Sequence, residues 1–298
     1  GSTGKPKKIS RDIQKISKEL QVLNKVFLSK TQNSLFASTA SHQHLYGLTF
    51  YILWPLINKN QIISNIIKFP EQLELLFKKY KNITLITNPS FLQRVDTQNI
   101  KPETINIFSA GSVLSKAVIL RTYKYLNSYP IDIYGSTETG VIAYKFNNNN
   151  IYWTPFPNIK ISQDSNQCLI IKSEFSINPE SHRTGDIINI YKNQNFELLG
   201  RADKIVKIEG KRVSLTEIEQ YLQQHDLIDN IYAIKLEDSR QYIAAVIKLN
   251  HKGITTLNKN SKNHLNKETS SNSKDVKLEA DVSSENLIKE IITSSSDY

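Results

Sequence analysis

The sequence predicts an α/β large domain with a β-rich subdomain, followed by a small α+β domain. Three observations predict this fold class. Short apolar runs alternate with helical stretches up to residue 140, strand-rich segments separated by Asn, Pro and Ser turns continue to about residue 202, and a capped helix with a strand pair follows. Alternating strands and helices of this size favour parallel pairing in an open sheet. A chain of 298 residues is long enough for such an arrangement.

The first part of the chain supplies the alternating elements. Apolar side chains recur at helical spacing from Ile13 to Phe27, which predicts an amphipathic helix over residues 12–28. Strand-like runs and helical stretches then alternate. The predicted strands cover 34–38, 83–87, 105–110 and 131–134, and the predicted helices cover 46–57, 71–80 and 115–126.

The sequence pattern changes after Gly140 from alternating strands and helices to short strands. Short β-runs at 141–146, 168–172, 187–191 and 196–199 predict a β-rich subdomain over about 141–202, within a large domain of residues 1–202. A small α+β domain is predicted over 203–250, with a helix at 216–224 and strands at 231–236 and 241–249. Residues 251–298 are polar, and we expect this tail to be disordered or loosely docked.

Composition excludes several classes of protein. The net charge of +10 invites a nucleic-acid interpretation, but the lysines are scattered and no nucleic-acid module is recognisable. The longest apolar run, residues 45–57, falls short of the roughly 20 residues that a bilayer span needs. A single cysteine, Cys168, excludes an internal disulfide framework and favours a reducing compartment, with the cytoplasm as the default. No methionine is present, so we expect the native start to lie upstream.

The segment GSTGKPK at residues 1–7 has the composition of an anion-binding loop. Ser2, Thr3 and Gly4 are small residues whose backbone can turn sharply and direct N–H groups at an anion, and Lys7 adds positive charge. The spacing differs from that of the common phosphate loop, which ends in Gly-Lys-Ser/Thr. From these residues alone, a phosphate loop and a flexible Gly/Ser terminus are both open.

Two further segments place small and polar residues after predicted strands. Gly111 lies in IFSAGSVLS, between a strand and a helix, and Gly135 permits a tight turn after the strand that ends at Tyr134 in IYGSTETG. Ligands favour the carboxyl ends of strands in open α/β sheets. Tyr134 can hold an aromatic base and Glu138 can supply an oxygen ligand for Mg²⁺, although a bare turn between strands would need no ligand.

The segments HRTGD and GRADKIVKIEGKRVSL carry charged residues at turns. Asp186 precedes a strand, a suitable place for a carboxylate that accepts both ribose hydroxyls, although Thr-Gly-Asp is common in turns. A charged turn followed by a capped helix would account for the residues from 214 onward. It leaves Arg201, Asp203 and the turn at Gly210 unexplained.

Two histidines lie in TASHQHLYGLTF, ahead of a predicted helix. His42 and His44 are two residues apart and would point in different directions on a helix, and no Cys or carboxylate cluster nearby completes a ligand set. The spacing and the surrounding residues therefore disfavour a metal pair. A hydrogen-bonded, helix-capping histidine and a histidine that lines a substrate pocket remain as alternatives.

Taken in order, these six segments resemble the motif series of the adenylate-forming (ANL) enzymes, which include acyl-CoA synthetases, adenylation domains of peptide synthetases and luciferases. GSTGKPK is similar to the superfamily loop Ser-Gly-Ser/Thr-Thr-Gly-x-Pro-Lys without its opening residues, and IYGSTETG contains the motif Tyr-Gly-x-Thr-Glu. The resemblance covers nearly all of residues 1–249 and implies an incomplete ANL-type fold. It also implies that the chain begins inside the phosphate loop.

The resemblance implies a nucleotide site. Tyr134 would stack on adenine, Thr137 would touch the phosphoryl and carboxylate oxygens, Asp186 would bind ribose and Arg201 would contact the nucleotide. The full set of implied nucleotide-binding residues is Ser2, Thr3, Gly4, Lys7, Gly111, Tyr134, Gly135, Thr137, Asp186 and Arg201.

Other roles follow from the same resemblance. Glu138 would hold Mg²⁺, and His42 would line the acyl pocket. Asp203 would be the hinge on which the small domain turns, and the Gly210 loop would line the thiol channel. The adenylation lysine of the superfamily follows a proline in a Gly-Lys context, and no proline occurs after Lys252. No catalytic residue is therefore assignable.

The implied reaction has two steps. ATP activates a fatty or aryl carboxylic acid as an acyl-adenylate, and a thiol such as coenzyme A then displaces AMP. One alternative is an adenylation domain that loads the phosphopantetheine of an acyl carrier protein. Another is an inactive remnant that binds nucleotide or a partner. Because the upstream part of the large domain would be missing, we expect little turnover from these 298 residues alone.

Overall fold

The computed structural model describes residues 10–97, 101–148, 150–208, 211–237 and 241–257. The chain forms two compact units that divide between Leu199 and Gly200. The predicted boundaries of the large domain (1–202), the small domain (203–250) and the tail (251–298) stay predictions.

The first unit contains a seven-stranded sheet that confirms the predicted α/β class. Its strands are β1 (Leu35–Ser38), β2 (Gln61–Ile62), β3 (Asn82–Thr87), β4 (Thr104–Ser109), β5 (Ile131–Ser136), β6 (Gly140–Phe146) and β7 (Thr154–Pro155). They lie in the order β2-β1-β3-β4-β5-β6-β7. The neighbouring strands from β2 to β5 pair in parallel. β6 pairs antiparallel with β5, and β7 pairs antiparallel with β6.

Helices connect the parallel strands, as that pairing requires. They are α1 (Ile13–Thr31), α2 (Leu45–Gly47), α3 (Trp54–Ile57), α4 (Glu71–Lys79), α5 (Pro89–Leu92) and α6 (Lys116–Leu126). A π-helical stretch, Leu48–Leu53, joins α2 to α3. The Asp12 side chain accepts the N–H of Gln14 and thereby starts α1, and the Ser115 side chain accepts that of Val118 and starts α6.

The sheet is buried on both faces. Ile86 and Phe108 pack with α1 and the π-helical stretch, while Leu85 and Ile107 pack with α4 to α6. Successive residues of a strand point to opposite faces, which explains the division into two apolar clusters. Phe27 of α1 is fully buried at the centre of the first cluster, with its ring centroid 4.9 Å from that of Phe108.

A second sheet of four strands belongs to the same unit, apart from the last two residues of its final strand. Its strands are β8 (Lys160–Gln163), β9 (Cys168–Lys172), β10 (His182–Ile190) and β11 (Phe196–Arg201), in the order β11-β10-β9-β8. The sequence predicts that the β-rich subdomain begins at about residue 141. Residues 140–146 instead extend the large sheet, because β6 folds back on β5 through the turn at Ser136–Gly140.

In the described residues, the second unit contains two antiparallel strand pairs, the helix α7 and a helical segment at 251–257. Its elements are β12 (Ile205–Ile208), β13 (Lys211–Ser214), α7 (Leu215–Leu222), β14 (Ile228–Glu237) and β15 (Gln241–Leu249). Both strand pairs are antiparallel. The Ser214 side chain accepts the N–H of Glu217 and starts α7, and Leu222, Ile228 and Ile231 form the buried cluster.

The segment after β15 departs from the predicted polar tail. Residues 251–257 are helical, and Leu257 packs against the buried cluster of the second unit. The Asn250 side chain accepts the N–H of Gly253, which starts the helical turn. Residues 258–298 lie outside the described residues. None of the helices in the described ranges has both the length and the apolar composition of a bilayer-spanning segment.

Candidate functional site

The loops after three parallel strands lie at one edge of the large sheet. His42 lies in the turn after β1, Gly111 follows β4, and Thr137 and Glu138 follow β5. The carboxyl ends of parallel strands share one edge, and ligands of open α/β sheets bind there. The fold therefore gathers four of the predicted site residues on a single edge.

Tyr134 and Asp186 form the most direct link between two predicted motifs. The Tyr134 hydroxyl donates a hydrogen bond to Asp186 Oδ2 at 2.5 Å, across 52 positions of sequence. Both residues are half-buried. The Tyr134 ring packs on Trp153 and Phe196, with centroids 5.5 and 6.0 Å away, so the aromatic ring and the carboxylate are held together.

The turn between β5 and β6 is closed by its own side chains. Thr139 is fully buried, and its hydroxyl accepts the N–H of Ser136 at 3.0 Å. The carbonyl oxygen of Glu138 accepts the N–H of Ile177 at 2.9 Å. These bonds fix the turn while Thr137 stays exposed and Glu138 half-buried.

A buried ion pair lies directly beneath this turn. Arg11 Nη1 is 3.0 Å from Glu19 Oε2, and both side chains are almost completely buried. Burial raises the pKa of the Glu19 carboxyl, and the charge of Arg11 opposes that rise. Sequence reasoning missed this pair. The available signal was a carboxylate on the apolar face of α1, one residue before Leu20.

A second buried carboxylate, Asp132, lies in β5. Lys145 of the neighbouring β6 places its Nζ 3.5 Å from Asp132 Oδ2. The pKa of Asp132 is raised to about 6 because burial disfavours the charged form. The positive charge of Lys145 opposes this rise only in part. Sequence reasoning missed this residue as well, although a charged residue between Ile131 and Ile133 in a buried strand is an unusual pattern.

Glu138 is the predicted metal ligand. The described parts of the chain contain no cluster of three or more His, Cys, Asp or Glu side chains that could hold a metal by themselves. Mg²⁺ is often bound through one or two carboxylates together with substrate phosphates. A single half-buried carboxylate at the strand edge fits that form of binding and does not fit a metal cage made of protein alone.

The remaining predicted residues of the first unit lie in loops. Gly111 has a φ of +105°, a conformation that glycine adopts readily and other residues rarely. His42 is exposed, and His44 occupies the N-cap position of α2 without a side-chain capping bond. The structure therefore gives no capping bond to the histidine at the start of α2. Ser2, Thr3, Gly4 and Lys7 lie outside the described residues.

Arg201 and Asp203 belong to the second unit. The Arg201 guanidinium donates to both carboxylate oxygens of Asp203, at 2.9 and 3.2 Å. This bond lowers the pKa of Asp203. Both side chains are mostly exposed. Gly210, the predicted thiol-channel residue, lies outside the described residues.

Solved structures with this fold include known ligases. An ATP-bound MatB from Rhodopseudomonas palustris superposes with a TM-score of 0.72 at 15% identity, over 84% of this chain and 56% of that chain. A benzoate CoA ligase from Burkholderia xenovorans superposes with a TM-score of 0.73 at 18% identity, over 96% of this chain and 59% of that chain. The predicted ANL-type fold is thereby confirmed, over just over half the length of these neighbours.

Curated relatives match by sequence over most of the chain. Tyrocidine synthase 3 of Brevibacillus parabrevis is 25% identical over 80% of this chain, which corresponds to 4% of that protein. Indigoidine synthase of Streptomyces lavendulae is 25% identical over 85% of this chain, or 24% of that protein. The chain thus spans a small share of these relatives. No protein-family model matches it.

Proposed function

Because the chain is a member of the adenylate-forming superfamily, we propose that it activates a carboxylic acid with ATP. The products of the first step would be an acyl-adenylate and pyrophosphate. The observation that carries the proposal is the Tyr134–Asp186 hydrogen bond, since it joins two motifs with adenosine-binding chemistry at the sheet edge. An aromatic face suits adenine, and a carboxylate suits the ribose hydroxyls.

The first step joins two anions, and charge stabilisation is its main requirement. A carboxylate oxygen of the acid attacks the α-phosphorus, an O–P bond forms, and the P–O bond to pyrophosphate breaks. Thr137 is exposed in the fixed turn, where its hydroxyl and backbone can donate to the phosphoryl oxygens. Tyr134 and Asp186 hold the nucleoside and take no part in proton transfer.

Glu138 is the proposed Mg²⁺ ligand, with the phosphates of ATP completing the coordination. When bound, Mg²⁺ would neutralise charge on the phosphates and polarise the phosphoryl group. The chain itself fixes the main chain of Glu138 through the Ile177 N–H. That bond restricts where the carboxylate can reach.

The acid is proposed to be fatty or aryl. The segment from Thr39 to Phe50 contains no Asp or Glu that could pair with the ammonium group of an amino acid. The segment consists otherwise of aliphatic, aromatic and uncharged polar residues with two histidines, a composition that favours an aliphatic or aromatic acid over one that carries an ammonium group.

Two acceptors are proposed for the second step, in which a thiol sulfur attacks the acyl carbon and AMP leaves. Coenzyme A is the first, supported by the likeness to the benzoate CoA ligase. The phosphopantetheine of a carrier protein is the second, because the sequence relatives include adenylation domains of peptide synthetases. In either case Asp203 is the proposed hinge, and Arg201 a nucleotide contact.

Binding of ATP and of 2′,3′-dideoxy-ATP by calorimetry tests the assignment of Asp186. The experiment uses the full-length gene product that contains these residues. We expect Asp186→Asn to weaken ATP binding about tenfold, or about 1.4 kcal/mol, and to leave dideoxy-ATP binding unchanged. Asp226→Asn makes the same chemical change at an exposed position of the second unit and serves as the control. Equal loss for both nucleotides would contradict a ribose contact.

A further inference from the structure

We propose that Arg11 and Glu19 are positioning residues for the phosphate end of the site. They would fix the turn that carries Thr137 and Glu138, and so set where Mg²⁺ and the phosphates of ATP can bind. The inference rests on the proposed function, because it assigns a task to residues that support that site. Neither Arg11 nor Glu19 is proposed to touch the nucleotide.

Glu19 holds the backbone immediately after the turn. Its Oε1 accepts the N–H of Val141 at 2.9 Å, while its Oε2 lies 3.0 Å from Arg11 Nη1. Glu19 is 1% exposed, so the bond to Val141 is shielded from competing water. A charge-assisted hydrogen bond to a backbone N–H is stronger than a neutral one. The first residues of β6 are therefore tied to α1.

Gly140 shows how closely the ion pair approaches the turn. Its φ is +70°, and a Cβ at this position would lie 2.7 Å from Arg11 Nη2 and 2.8 Å from Glu19 Oε1. Both distances are shorter than real Cβ contacts allow. A larger residue here would strain the backbone and displace the ends of the Arg11 and Glu19 side chains.

The same end of α1 also holds the other side of the turn. Arg11 Nη2 donates to the carbonyl of Phe175 at 2.8 Å, and Lys15 Nζ donates to that of Ser176 at 2.8 Å. The next residue, Ile177, donates its N–H to the carbonyl of Glu138. The main chain around Glu138 is therefore fixed from Val141 on one side and from residues 175–177 on the other.

The energetics favour a positioning role over a stabilising one. Desolvation of two charges offsets much of their attraction, and apolar replacements of buried ion pairs are often neutral or stabilising. Stability alone therefore does not require a buried pair here. In the sequence, α1 follows closely on segment 1–7, which resembles the phosphate loop of the superfamily. The pair would then connect α1 with the metal-binding turn.

The decisive measurement is the affinity for ATP as a function of Mg²⁺ concentration, on the full-length gene product. The double variant Arg11→Met with Glu19→Met removes both charges and the bond to Val141. We expect the Mg²⁺-dependent gain in ATP affinity to fall about tenfold, as is typical when a supporting residue of a metal site is removed. Affinity measured in EDTA and the unfolding midpoint should stay close to the wild-type values.

Glu174→Gln is the matched control. Lys18 Nζ contacts Glu174 Oε2 at 2.6 Å, so this exposed pair also joins α1 to the 174–177 segment but does not touch the turn. It should leave the Mg²⁺ dependence unchanged. Glu19→Gln keeps an acceptor for Val141 without the charge and should lose less than the double variant. If the double variant does not fold, the Mg²⁺ dependence of ATP affinity in Glu19→Gln tests the positioning role instead.

The outcomes separate the two levels of the proposal. If the wild-type protein binds ATP without any effect of Mg²⁺, the proposed metal site at Glu138 is wrong. If the wild type responds to Mg²⁺ and the folded variants respond equally, the positioning role of Arg11 and Glu19 is wrong. A parallel loss of ATP affinity in EDTA and of the unfolding midpoint would also overturn it, since that pattern indicates a purely structural pair.

Discussion

The two units hold their predicted site residues in different ways. In the first unit, Tyr134 and Asp186 are half-buried and bonded to each other across two motifs. In the second, Arg201 and Asp203 are 53% and 66% exposed and bond locally, two residues apart. A site held by its fold is preorganised, whereas an exposed local pair leaves its segment free to change conformation. The contrast fits a fixed nucleotide site and a hinge.

The two units also differ in the size of their buried cores. Phe27 is surrounded by aromatic rings of the first cluster, including those of Trp54, Phe108 and Tyr144. Among the residues that the structure describes, the buried cluster of the second unit contains three, Leu222, Ile228 and Ile231. Large close-packed cores are rigid, and regions with few buried apolar contacts open at lower free energy.

Truncation of a core residue should show the difference in stability between the two units most clearly. Phe27→Ala is expected to lower the free energy of unfolding of the first unit by about 3–5 kcal/mol, because it removes a fully buried ring. Leu222→Ala should cost the second unit about 2 kcal/mol, since its cluster is small and Leu222 is 8% exposed.

Denaturant unfolding measures both effects. Trp54 and Trp153 are the two tryptophans of the chain, and both lie in the first unit, so tryptophan fluorescence follows that unit. Amide hydrogen exchange in α7 follows the second. A larger loss for Leu222→Ala than for Phe27→Ala would contradict the comparison.

The buried charge of Asp132 should make the first unit dependent on pH. Its folded pKa of about 6 exceeds its ordinary value of 3.8, so the native state holds a proton that the unfolded chain has released in this window. The stability contribution of this group therefore rises as pH falls from above 6 towards 4. The gain is at most about 3 kcal/mol.

Asp132→Asn should abolish this gain. We expect the tryptophan-monitored free energy of unfolding to change less between pH 7.5 and 4.5 in the variant than in the wild type. The comparison of two pH values cancels the pH-independent cost of leaving Lys145 without its partner. Asp226→Asn serves again as the exposed control. Identical pH profiles for Asp132→Asn and wild type would show that folding does not raise the pKa of Asp132.

The exposed pair of the second unit should matter least for stability. Asp203→Asn is expected to change the free energy of unfolding by no more than about 0.5 kcal/mol, because exposed ion pairs contribute little. Under the hinge proposal it should still slow thioester formation relative to adenylation. The ratio of the two half-reactions measures this effect. An equal change in both half-reactions would contradict the hinge assignment.

The fold was largely predictable because its signals are local. Short β-rich runs such as residues 83–87 and the capped helix after Asp12 depend on neighbouring residues alone. The assignment of residues 140–146 to the large sheet was not predictable in this way. It depends on the pairing of β5 with β6, which the short β-run itself does not encode.

The candidate site was predictable only where motifs carry it. Tyr134, Glu138 and Asp186 lie in recognisable segments, whereas Arg11, Glu19 and Asp132 lie in an ordinary helix and strand. Their importance comes from contacts between distant segments, such as the bond from Val141 N to Glu19. The helical turn at 251–257 depends likewise on the packing of Leu257, which composition does not reveal.

The central claim is that the protein activates a carboxylic acid with ATP. Carboxylate-dependent exchange of radiolabelled pyrophosphate into ATP tests it most directly, on the full-length gene product with panels of fatty, aryl and amino acids. We predict that at least one fatty or aryl acid stimulates exchange in a Mg²⁺-dependent manner, and that Asp186→Asn reduces it. Stimulation by amino acids alone would overturn the proposed substrate class. No stimulation by any acid would contradict the enzymatic function.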